Sequence, residues 1–432
     1  MESCNTESSL DLPLESLSLQ PFLQSLHKEQ WQEVRLGEVA EITSSKRIFY
    51  SEYVEYGIPF YRSKEIIEFS KGNNPQNELF IDENKYNDIA NKFGVPQAND
   101  ILLTSVGTLG IPYLVPKDKK FYFKDGNLTW FKNFKNITSL FLFYWFKSPQ
   151  GKEKLDSIAI GSTQQALTIQ GMKNLIFLLP PLTIQQKIAE ILSSFDDKID
   201  LLHRQNKTLE SLALTLFRHY FIDNPNRNEW ELGKLGDLLL ETLAGDWGKE
   251  QQDDENGEMV YCIRGTDIAD LQNGLPNKTP IRYVKHKKLM QLQPNNGDII
   301  FEISGGTEMQ STGRCIYINN DIEKLFDAPI LFSNFCRLLR VKKAEYGYFL
   351  YLYLKFLYNN DEFFALENGT SGIKNLDYKV LLYQHEYTIP NEQQIIRFHK
   401  EIEIYYYKIN QNKKQIQNLQ AMRDMLLKAI FE

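Results

Sequence analysis

Two stretches of this chain, about 200 residues apart, carry the same features in the same order. The offset between matching features varies between 198 and 210, as expected if loops differ in length while the framework is kept. The matched features are Trp31 and Trp230, Leu36-Gly37 and Leu235-Gly236, Asp100-Ile101 and Asp298-Ile299, the aromatic runs 141–147 and 349–355, Gly161-Ser162-Thr163 and Gly369-Thr370-Ser371, Lys198-Ile199 and Lys408-Ile409, and Leu216 and Leu426. A repeat this long indicates a duplicated domain, because solenoid units are far shorter. Two similar domains favour a protein that binds two half-sites.

Composition predicts an ordinary globular protein of about two to four domains at this length. Apolar residues make up 42% of the chain and charged residues 24%, which are typical globular shares. The first residues include Glu2 and Glu7 and lack a basic stretch followed by an apolar run, so we expect no signal peptide. The apolar runs 140–146 and 348–354 are too short to span a bilayer and are predicted to be buried helices, with no membrane partner.

Cysteine usage favours a cytoplasmic location. The cysteines form no C-x-x-C pair and are interpreted as free thiols in a reducing compartment. They are Cys4, Cys262, Cys315 and Cys336.

The charge balance argues against a protein that holds nucleic acid by bulk attraction. The net charge is −7, and the excess is uneven: residues 31–180 carry 18 basic and 16 acidic side chains, whereas residues 230–388 carry 17 and 23. A DNA-binding protein of this composition would rely on local basic loops, and partners would supply much of the phosphate attraction.

Each repeat has a globular half and a helical half. The globular halves mix short β-type runs with amphipathic helices, which predicts an α+β (mixed α/β) fold. We assign residues 1–30 to an N-terminal arm that is either disordered or docks onto the protein. The remaining predicted segments are a first globular domain at 31–181, a first long helix at 182–222, a second globular domain at 230–389 and a second long helix at 390–432.

Both long helices carry a coiled-coil seam. Apolar residues follow a 4,3 spacing over more than four heptads in the first helix, and less regularly in the second. The seam residues are Ile188, Leu192, Phe195, Ile199, Leu202, Asn206, Leu209, Ala213, Leu216 and Tyr220, then Phe398, Ile402, Tyr405, Ile409, Asn412, Ile416, Leu419 and Leu426. Asn206 and Asn412 either fix the register of two paired helices or lie at a polar rim; the pattern leaves both open.

Motifs for catalysis are missing from the sequence. It has no phosphate-binding G-x-x-x-x-G-K-[ST] loop, no G-x-G-x-x-G between a strand and a helix, and no Asn/Asp-Pro-Pro-aromatic tetrad of amino-methyltransferases. Its six histidines are scattered without metal-ligand spacing. We therefore predict no catalytic residue and no metal site.

The start and end of the first long helix are distinctive. The sequence PPLTIQQKIAEIL at 180–192 leads into the helix, which ends LFRHYF at 216–221, and IPNEQQ at 389–394 repeats the start. This combination resembles the DNA-specificity subunit of type I restriction–modification systems, over nearly all of the chain from residue 31. The chain departs from the pattern in its leader, its acidic second half and its weaker second helix start.

The resemblance implies two target-recognition domains, each reading one half of a split sequence in double-stranded DNA. It also implies that the two long helices pair antiparallel and set the distance between the half-sites. Two methyltransferase subunits would bind along the helices, and restriction subunits would join that core. S-adenosylmethionine, ATP and Mg would belong to those partners, with no cofactor in this chain.

Base readout requires polar side chains on exposed loops, so Gly-, Ser- and Thr-rich loops with basic residues are the candidates. In the first domain they are Ser44, Ser45, Lys46, Arg47, Tyr61, Arg62, Ser63, Lys64, Thr104, Ser105, Gly107, Thr108, Thr163, Gln164 and Gln165. In the second they are Arg264, Gly265, Thr266, Gly305, Gly306, Thr307, Thr312, Gly313, Arg314, Thr370, Ser371 and Lys374. The basic run YVKHKK at 283–288 has no counterpart in the first copy and fits a phosphate contact or a plain exposed strand edge.

Two other functions stay open at this level. One is a self-contained methyltransferase or nuclease with unrecognised motifs, which donor binding by the isolated chain would favour. The other is a coiled-coil scaffold whose globular domains bind protein, which a lack of sequence-dependent DNA binding in the assembled complex would favour.

Overall fold

The computed structural model describes residues 20–72, 75, 79–276, 278–307, 310–369 and 373–432. The chain forms two compact units. Unit 1 contains the residues up to Asp200 together with Leu419–Glu432, and unit 2 contains Leu201–Asn418. Each unit therefore includes one end of each long helix. In the part of the chain so described, no helix is both long and apolar enough to cross a membrane.

Unit 1 has three strand groups and short helices before the first long helix. Its strands are β1 Gln32–Arg35, β2 Glu41–Thr43, β3 Tyr53–Val54, β4 Ile58–Tyr61, β5 Phe80–Ile81, β6 Ile101–Thr104, β7 Pro112–Leu114, β8 Tyr122–Phe123, β9 Leu128–Lys132 and β10 Ile176–Leu179. Its helices are α1 Gln20–Gln24, α2 Leu36–Val39, α3 Ser63–Ser70, α4 Glu83–Phe93, α5 Ser139–Lys147, α6 Pro149–Ser157, α7 Ile169–Asn174 and the start of α8 Leu182–Phe217.

Unit 2 repeats this plan. Its strands are β11 Glu231–Gly233, β12 Leu239–Ala244, β13 Glu258–Ile263, β14 Ile281–Val284, β15 Ile299–Glu302, β16 Ser304–Gly305, β17 Cys315–Tyr317, β18 Ile330–Phe332, β19 Cys336–Val341, β20 Glu367–Asn368, β21 Lys374–Leu376 and β22 Tyr387–Ile389. Its helices are α9 Ile268–Gln272, α10 His286–Leu292, α11 Asn320–Glu323, α12 Tyr346–Asn359 and most of α13 Glu392–Phe431.

The two units share one sheet topology. The main sheet has the order β2-β9-β6-β7 in unit 1 and β12-β19-β15-β17 in unit 2, antiparallel throughout. A parallel pair recurs as β4 with β8 and as β13 with β18. The strand that opens each unit pairs with the strand before the next long helix, as β1 with β10 and β11 with β22. The sequence repeat is thus a repeat of structure.

The repeated Asp-Ile pair marks a turn that starts the central strand of each main sheet. Asp100 accepts a hydrogen bond from the Gln97 backbone N–H at 2.8 Å and from Trp130 Nε1 at 2.8 Å. In unit 2, Asp298 accepts one from the Asn295 backbone N–H at 2.8 Å and from Arg340 Nε at 3.2 Å. In each unit the carboxylate accepts hydrogen bonds from the turn backbone and from a neighbouring side chain. This role accounts for the recurrence of the aspartate.

The aromatic runs form buried helices, as the sequence predicts. In α5 the rings of Phe141, Trp145 and Phe146 are fully buried, and in α12 the buried residues extend from Gly347 to Leu354. Each helix packs into the core of its own unit beside a long helix. These rings are core residues, so they are not available as stacking platforms for bases.

In unit 1 the two long helices are tied by an ion cluster. Asp196 of α8 accepts hydrogen bonds from Arg423 of α13 at 2.7 Å, from Lys147 of α5 at 3.2 Å and from the Tyr144 hydroxyl at 3.0 Å. Ile188 lies in the same core as Leu426 of α13. Burial alone would raise the pKa of Asp196, but Lys147 and Arg423 outweigh it and hold the pKa below its usual value.

This cluster predicts acid-sensitive stability in unit 1. A carboxyl whose pKa is lowered by folding contributes stability above its unfolded pKa and loses it as pH falls through the folded value. We expect Asp196→Asn to cost roughly 2 kcal/mol at pH 7 and less near pH 3, where the unfolded carboxyl is mostly protonated. Thermal melts of both proteins at the two pH values test this. A difference in melting temperature that is the same at both would contradict it.

In unit 2 the two long helices run antiparallel: residues later in α8 contact residues earlier in α13. Phe217 packs against Phe398 at 6.1 Å between ring centroids, and Asn206 meets Asn412 further along. Asn412 Nδ2 donates to Asn206 Oδ1 at 2.8 Å, and both side chains are buried. Two amides inside an apolar seam can form this hydrogen bond in one register only, which favours the register interpretation over a polar rim.

The asparagine pair gives a stability prediction. Asn412→Leu leaves the buried Asn206 amide without its partner, so we expect a loss of about 1–3 kcal/mol in unit 2. Replacing both residues by leucine should recover that loss, since neither side chain then needs a partner. Denaturant unfolding of the single and double variants measures both effects; a single variant as stable as wild type would refute the pairing argument.

The seam departs from the expected spacing at the end of α8. The 4,3 pattern places Leu216 and Tyr220 inside, but the structure buries Phe217 and Phe221 and leaves the first two half-buried. A π-helical turn over Arg218–Ile222 follows Phe217. The two phenylalanine rings pack on Phe349, so contacts with the domain replace the helix–helix repeat here.

The described part of the N-terminal arm packs onto unit 1. Leu26 is buried in the same core as Leu426 and Ile430, and Lys28 Nζ donates to the Ala429 carbonyl at 2.9 Å. Trp31 Nε1 donates to the Leu26 carbonyl at 3.0 Å. Residues 20–30 thus dock onto the C-terminal end of α13, while the arm's first 19 residues lie outside the described part.

Candidate nucleic-acid interface

In unit 1 the predicted loops meet around the turn 124–127, between β8 and β9. The Asn127 carbonyl accepts hydrogen bonds from the Ser63 hydroxyl at 3.3 Å and the Ser105 backbone N–H at 2.8 Å. Arg47 Nε donates to Asp125 at 2.9 Å. The backbone N–H of Gly107 donates to the Gln165 carbonyl at 3.4 Å. Loops 44–47, 61–64, 104–108 and 163–165 therefore form one surface.

Three predicted readers in unit 1 are buried, which corrects their assignment. Tyr61 is 2% exposed and its ring stacks on Phe121. Thr104 Oγ1 accepts the Ile111 backbone N–H at 2.9 Å, and the Ser105 hydroxyl pairs with Thr129 at 2.6 Å. These side chains cannot reach a base edge because they are buried. They stabilise the loops that carry the exposed residues.

Other candidates of unit 1 are at the surface. Ser44, Ser45, Arg62 and Ser63 are partly exposed, although the hydroxyl oxygens of Ser44 and Ser45 are buried. Lys46, Arg47, Lys64, Gly107, Thr108, Thr163, Gln164 and Gln165 are exposed. The Lys46 ammonium lies 4.6 Å from the centre of the Phe93 ring.

In unit 2 the equivalent loops meet at β16 and β21. Gly305 pairs with Lys374 in this small sheet, and Lys374 Nζ lies 3.0 Å from Glu367. The backbone N–H of Thr312 donates to Glu367 Oε1 at 2.5 Å. Loops 305–307 and 312–314 are thereby joined to the strand of Lys374. The predicted readers Thr370 and Ser371 lie outside the described residues.

A repeated arginine fork positions the loop after the parallel strand in each unit. Arg62 Nη2 and its backbone N–H both donate to Glu65 at 2.7 Å. Arg264 does the same to Asp267, at 2.8 Å through Nη2 and 2.9 Å through its backbone N–H. Both carboxylates are buried. The two guanidinium groups therefore cap these loops, and both residues stay candidate base readers because they remain partly exposed.

A largely buried ion pair of unit 2 joins Arg314 to Glu302. Arg314 donates to the carboxylate from Nε at 2.9 Å and from Nη2 at 2.5 Å, and the Glu302 side chain is 2% exposed. The hydrogen bond to Glu302 raises the pKa of Arg314. Gly265 lies against this carboxylate, where an added Cβ would come within 2.0 Å of Glu302 Oε1.

Four predicted readers of unit 2 therefore have structural roles. Gly265, Thr312 and Gly313 are buried, and Arg314 neutralises a buried acid. The candidates left at or near the surface are Arg264, Thr266, Gly305, Gly306, Thr307 and Lys374.

No group of three or more His, Cys, Asp or Glu side chains among the described residues is placed to hold a metal ion. Burial raises the pKa of Cys262, Cys315 and Cys336 to about 12, so these free thiols stay protonated and unreactive at neutral pH.

Sequence reasoning missed the turn at the centre of the unit 1 surface and the acids that hold the arginines. Lys124 in that turn is exposed, and its Lys-Asp-Gly-Asn sequence is a turn signal between two strands. The spacing Arg-x-x-Glu or Arg-x-x-Asp at Arg62 and Arg264 is that of a capping pair, which was readable from the sequence. Glu302 had no such signal, since its partner is 12 residues away.

Comparison with known proteins decides the family. The profile of the type I restriction modification DNA specificity domain matches residues 28–211 and again residues 227–421. The chain belongs to this family. It is a DNA-recognition subunit of the type I restriction–modification class and is not itself catalytic. The mixed α/β fold with two repeated specificity domains, predicted from the sequence, is confirmed.

Relatives of this specificity subunit match it over differing shares of the chain. The type I restriction enzyme MjaIX specificity subunit of Methanocaldococcus jannaschii is 27% identical over 445 aligned positions, covering 93% of each chain. A specificity subunit of Haemophilus influenzae, S.HindORF215P, is 28% identical over 165 positions, covering 38% of this chain and 40% of the relative. The crystal structure of a type I S subunit from M. genitalium has a TM-score of 0.52 and 18% identity, covering 93% of this chain and 96% of that one, and shows the shared fold.

Proposed function

We propose that each unit of this specificity subunit reads one half of a bipartite site in double-stranded DNA. The observation that carries the proposal is the repeated loop cluster, built at equivalent places on one sheet topology in both units. Each cluster presents exposed polar and basic side chains on a rigid framework, which base readout requires. Two short half-sites multiply selectivity, because mismatch costs add across separated positions.

The long helices would set the gap between the half-sites. An α-helix has a fixed rise per residue, whereas a flexible linker has no fixed length. The helical spans Leu182–Phe217 and Glu392–Phe431, with the amide pair Asn206–Asn412, support a fixed register. In this proposal two methyltransferase subunits bind the helices and restriction subunits join them. S-adenosylmethionine, ATP and Mg would be bound by those partners.

Reconstitution in vitro tests the proposal. The methyltransferase subunit with this chain should methylate duplex DNA at defined sites, and this chain alone should neither methylate nor bind the methyl donor. Methylation that is unchanged when the chain is omitted would contradict the proposal. Donor binding by the chain alone would favour an enzyme instead, and sequence-independent DNA binding by the complex would favour a scaffold.

A further inference from the structure

The acidic excess of unit 2 is concentrated in one short segment. Residues 250–258 contain five carboxylates and no basic side chain, which accounts for nearly all of the acidic excess of residues 230–388. Those carboxylates belong to Glu250, Asp253, Asp254, Glu255 and Glu258. The segment lies mostly in the connection from β12 to β13. The equivalent connection in unit 1, residues 44–57, has two acids and two bases. We call residues 250–258 the acidic segment.

The acidic segment lies along the basic run 282–288. Glu250 Oε1 is 3.2 Å from Arg282 Nη1, and Glu258 Oε1 is 2.8 Å from His286 Nδ1. Glu255 accepts a hydrogen bond from Lys285 Nζ. Just before the segment, Asp246 is 3.9 Å from Lys288 Nζ. Three acids of the segment thus pair with three side chains of the run, of which Arg282 and Lys285 are positively charged.

The segment is anchored at its start and held elsewhere by exposed side chains. Lys249 exchanges two backbone hydrogen bonds with Tyr283, both 2.9 Å, and the Arg282 guanidinium stacks over the Trp247 ring at 4.1 Å. Beyond this anchor the segment makes its own turn, in which Asp253 accepts the N–H groups of residues 255 and 256. Glu255 is 72% exposed and Lys285 55%. Exposed ion pairs of this kind are weak and screened by salt, so another anion can replace them.

We propose that the basic run 282–288 is a contact surface for the DNA phosphate backbone, and that the acidic segment occupies it when DNA is absent. The segment places five negative charges within nine residues, and duplex DNA carries one phosphate charge per about 1.7 Å of axis, so both present dense negative charge. DNA would displace the segment's side chains and take over the cations. This inference rests on the proposed function and adds a regulation of it.

The expected effect is suppression of binding to unrelated DNA. Cations already paired with carboxylates give less net counterion release on meeting phosphate, because the freed carboxylates take up cations from solution. Affinity for any duplex is therefore lowered, whereas base contacts at the loop clusters are unaffected. A segment that weakens only the sequence-independent part of binding increases selectivity.

The experiment uses the full chain assembled with its methyltransferase partner. The variant Glu250→Gln/Glu255→Gln/Glu258→Gln is compared with wild type for binding to a 30-base-pair duplex without a methylation site, across a salt series. We expect roughly tenfold tighter binding at 50 mM salt. We also expect a plot of log affinity against log salt that is steeper by about 2, since the cations Arg282 and Lys285 lose their carboxylate partners. Adding Lys285→Ala/Lys288→Ala to this variant should remove most of the gain.

A charge-matched control separates this effect from net charge. The variant Glu33→Gln/Glu153→Gln/Asp156→Asn neutralises three exposed acids of unit 1 and should change little. An equal gain in the control, an unchanged salt slope in the unit 2 variant, or a gain that survives Lys285→Ala/Lys288→Ala would overturn the inference. The sequence that the same assembled complexes methylate separates the two proposals. Methylation by wild type that does not depend on DNA sequence would contradict the proposed function. Sequence-specific methylation together with an unchanged salt slope in the unit 2 variant would contradict only this inference.

Discussion

Lengthening both long helices by seven residues is expected to widen the gap of the recognised DNA site while leaving both half-sites unchanged. Seven residues restore the seam to the same face of each helix and add about 10.5 Å of rise. At about 3.4 Å per base pair this corresponds to roughly three base pairs. The insertions belong near the boundaries between the units, after Asp200 in α8 and after Asn418 in α13, where the domain cores are least disturbed. Sequencing of methylated sites in a host that carries the variant measures the gap.

A matched control inserts three residues at the same two places. Three residues turn the apolar seam away from its partner, so we expect a loss of methylation rather than a new gap. A heptad variant whose half-sites change would contradict the role assigned to the helices. A heptad variant that keeps the wild-type gap would do the same.

Arg314→Ala is expected to destabilise unit 2 by about 3 kcal/mol, because it leaves the buried Glu302 carboxylate without its partner. In a unit of this size that loss lowers the melting temperature by roughly 6–12 °C. From the sequence, Arg314 is a candidate base reader, and if it reads a base its removal relaxes one half-site by about 1–3 kcal/mol. The structure replaces that prediction, since both donating nitrogens point at Glu302. Calorimetry of wild type and variant provides the test.

Unit 1 supplies the control for this pair. The Thr104 backbone N–H donates to the Ile111 carbonyl there, as the Glu302 backbone N–H donates to the Arg314 carbonyl in unit 2. The double variant Glu302→Thr/Arg314→Ile therefore installs the neutral pair of the first repeat. We expect it to recover most of the lost stability, because no buried charge remains. A single variant as stable as wild type, or a double variant as unstable as the single one, would show that the ion pair is not the cause.

Patterns with a long period were predictable from the sequence. The repeat of Asp100-Ile101 at Asp298-Ile299 predicted two copies of one domain, and both are turns that start the central strand of a sheet. The seam residues Ile188 and Ile409 are buried as their spacing indicates. Helical periodicity predicts burial well because the apolar face of a long helix must be covered along its whole length.

Individual side chains at the candidate surface were less predictable. Thr104 and Ser105 resemble loop residues in composition, but they end a strand whose flanking cores bury them. Arg314 resembles a base reader, and only its partner Glu302, 12 residues away, decides otherwise. Pairings of this kind depend on tertiary contacts, which local composition does not reveal. The same holds for the acids that cover the basic run 282–288.

Sequencing of methylated DNA from a host with and without this chain tests the central claim most directly. We expect modification at two short defined sequences separated by a gap of constant length and unspecified bases, present only when the chain is expressed. Substitution of Lys46 or Lys124 on unit 1 should then affect recognition of one half only. A contiguous recognised sequence, or a methylation pattern that is the same in both hosts, would contradict the account of two reading domains in one chain.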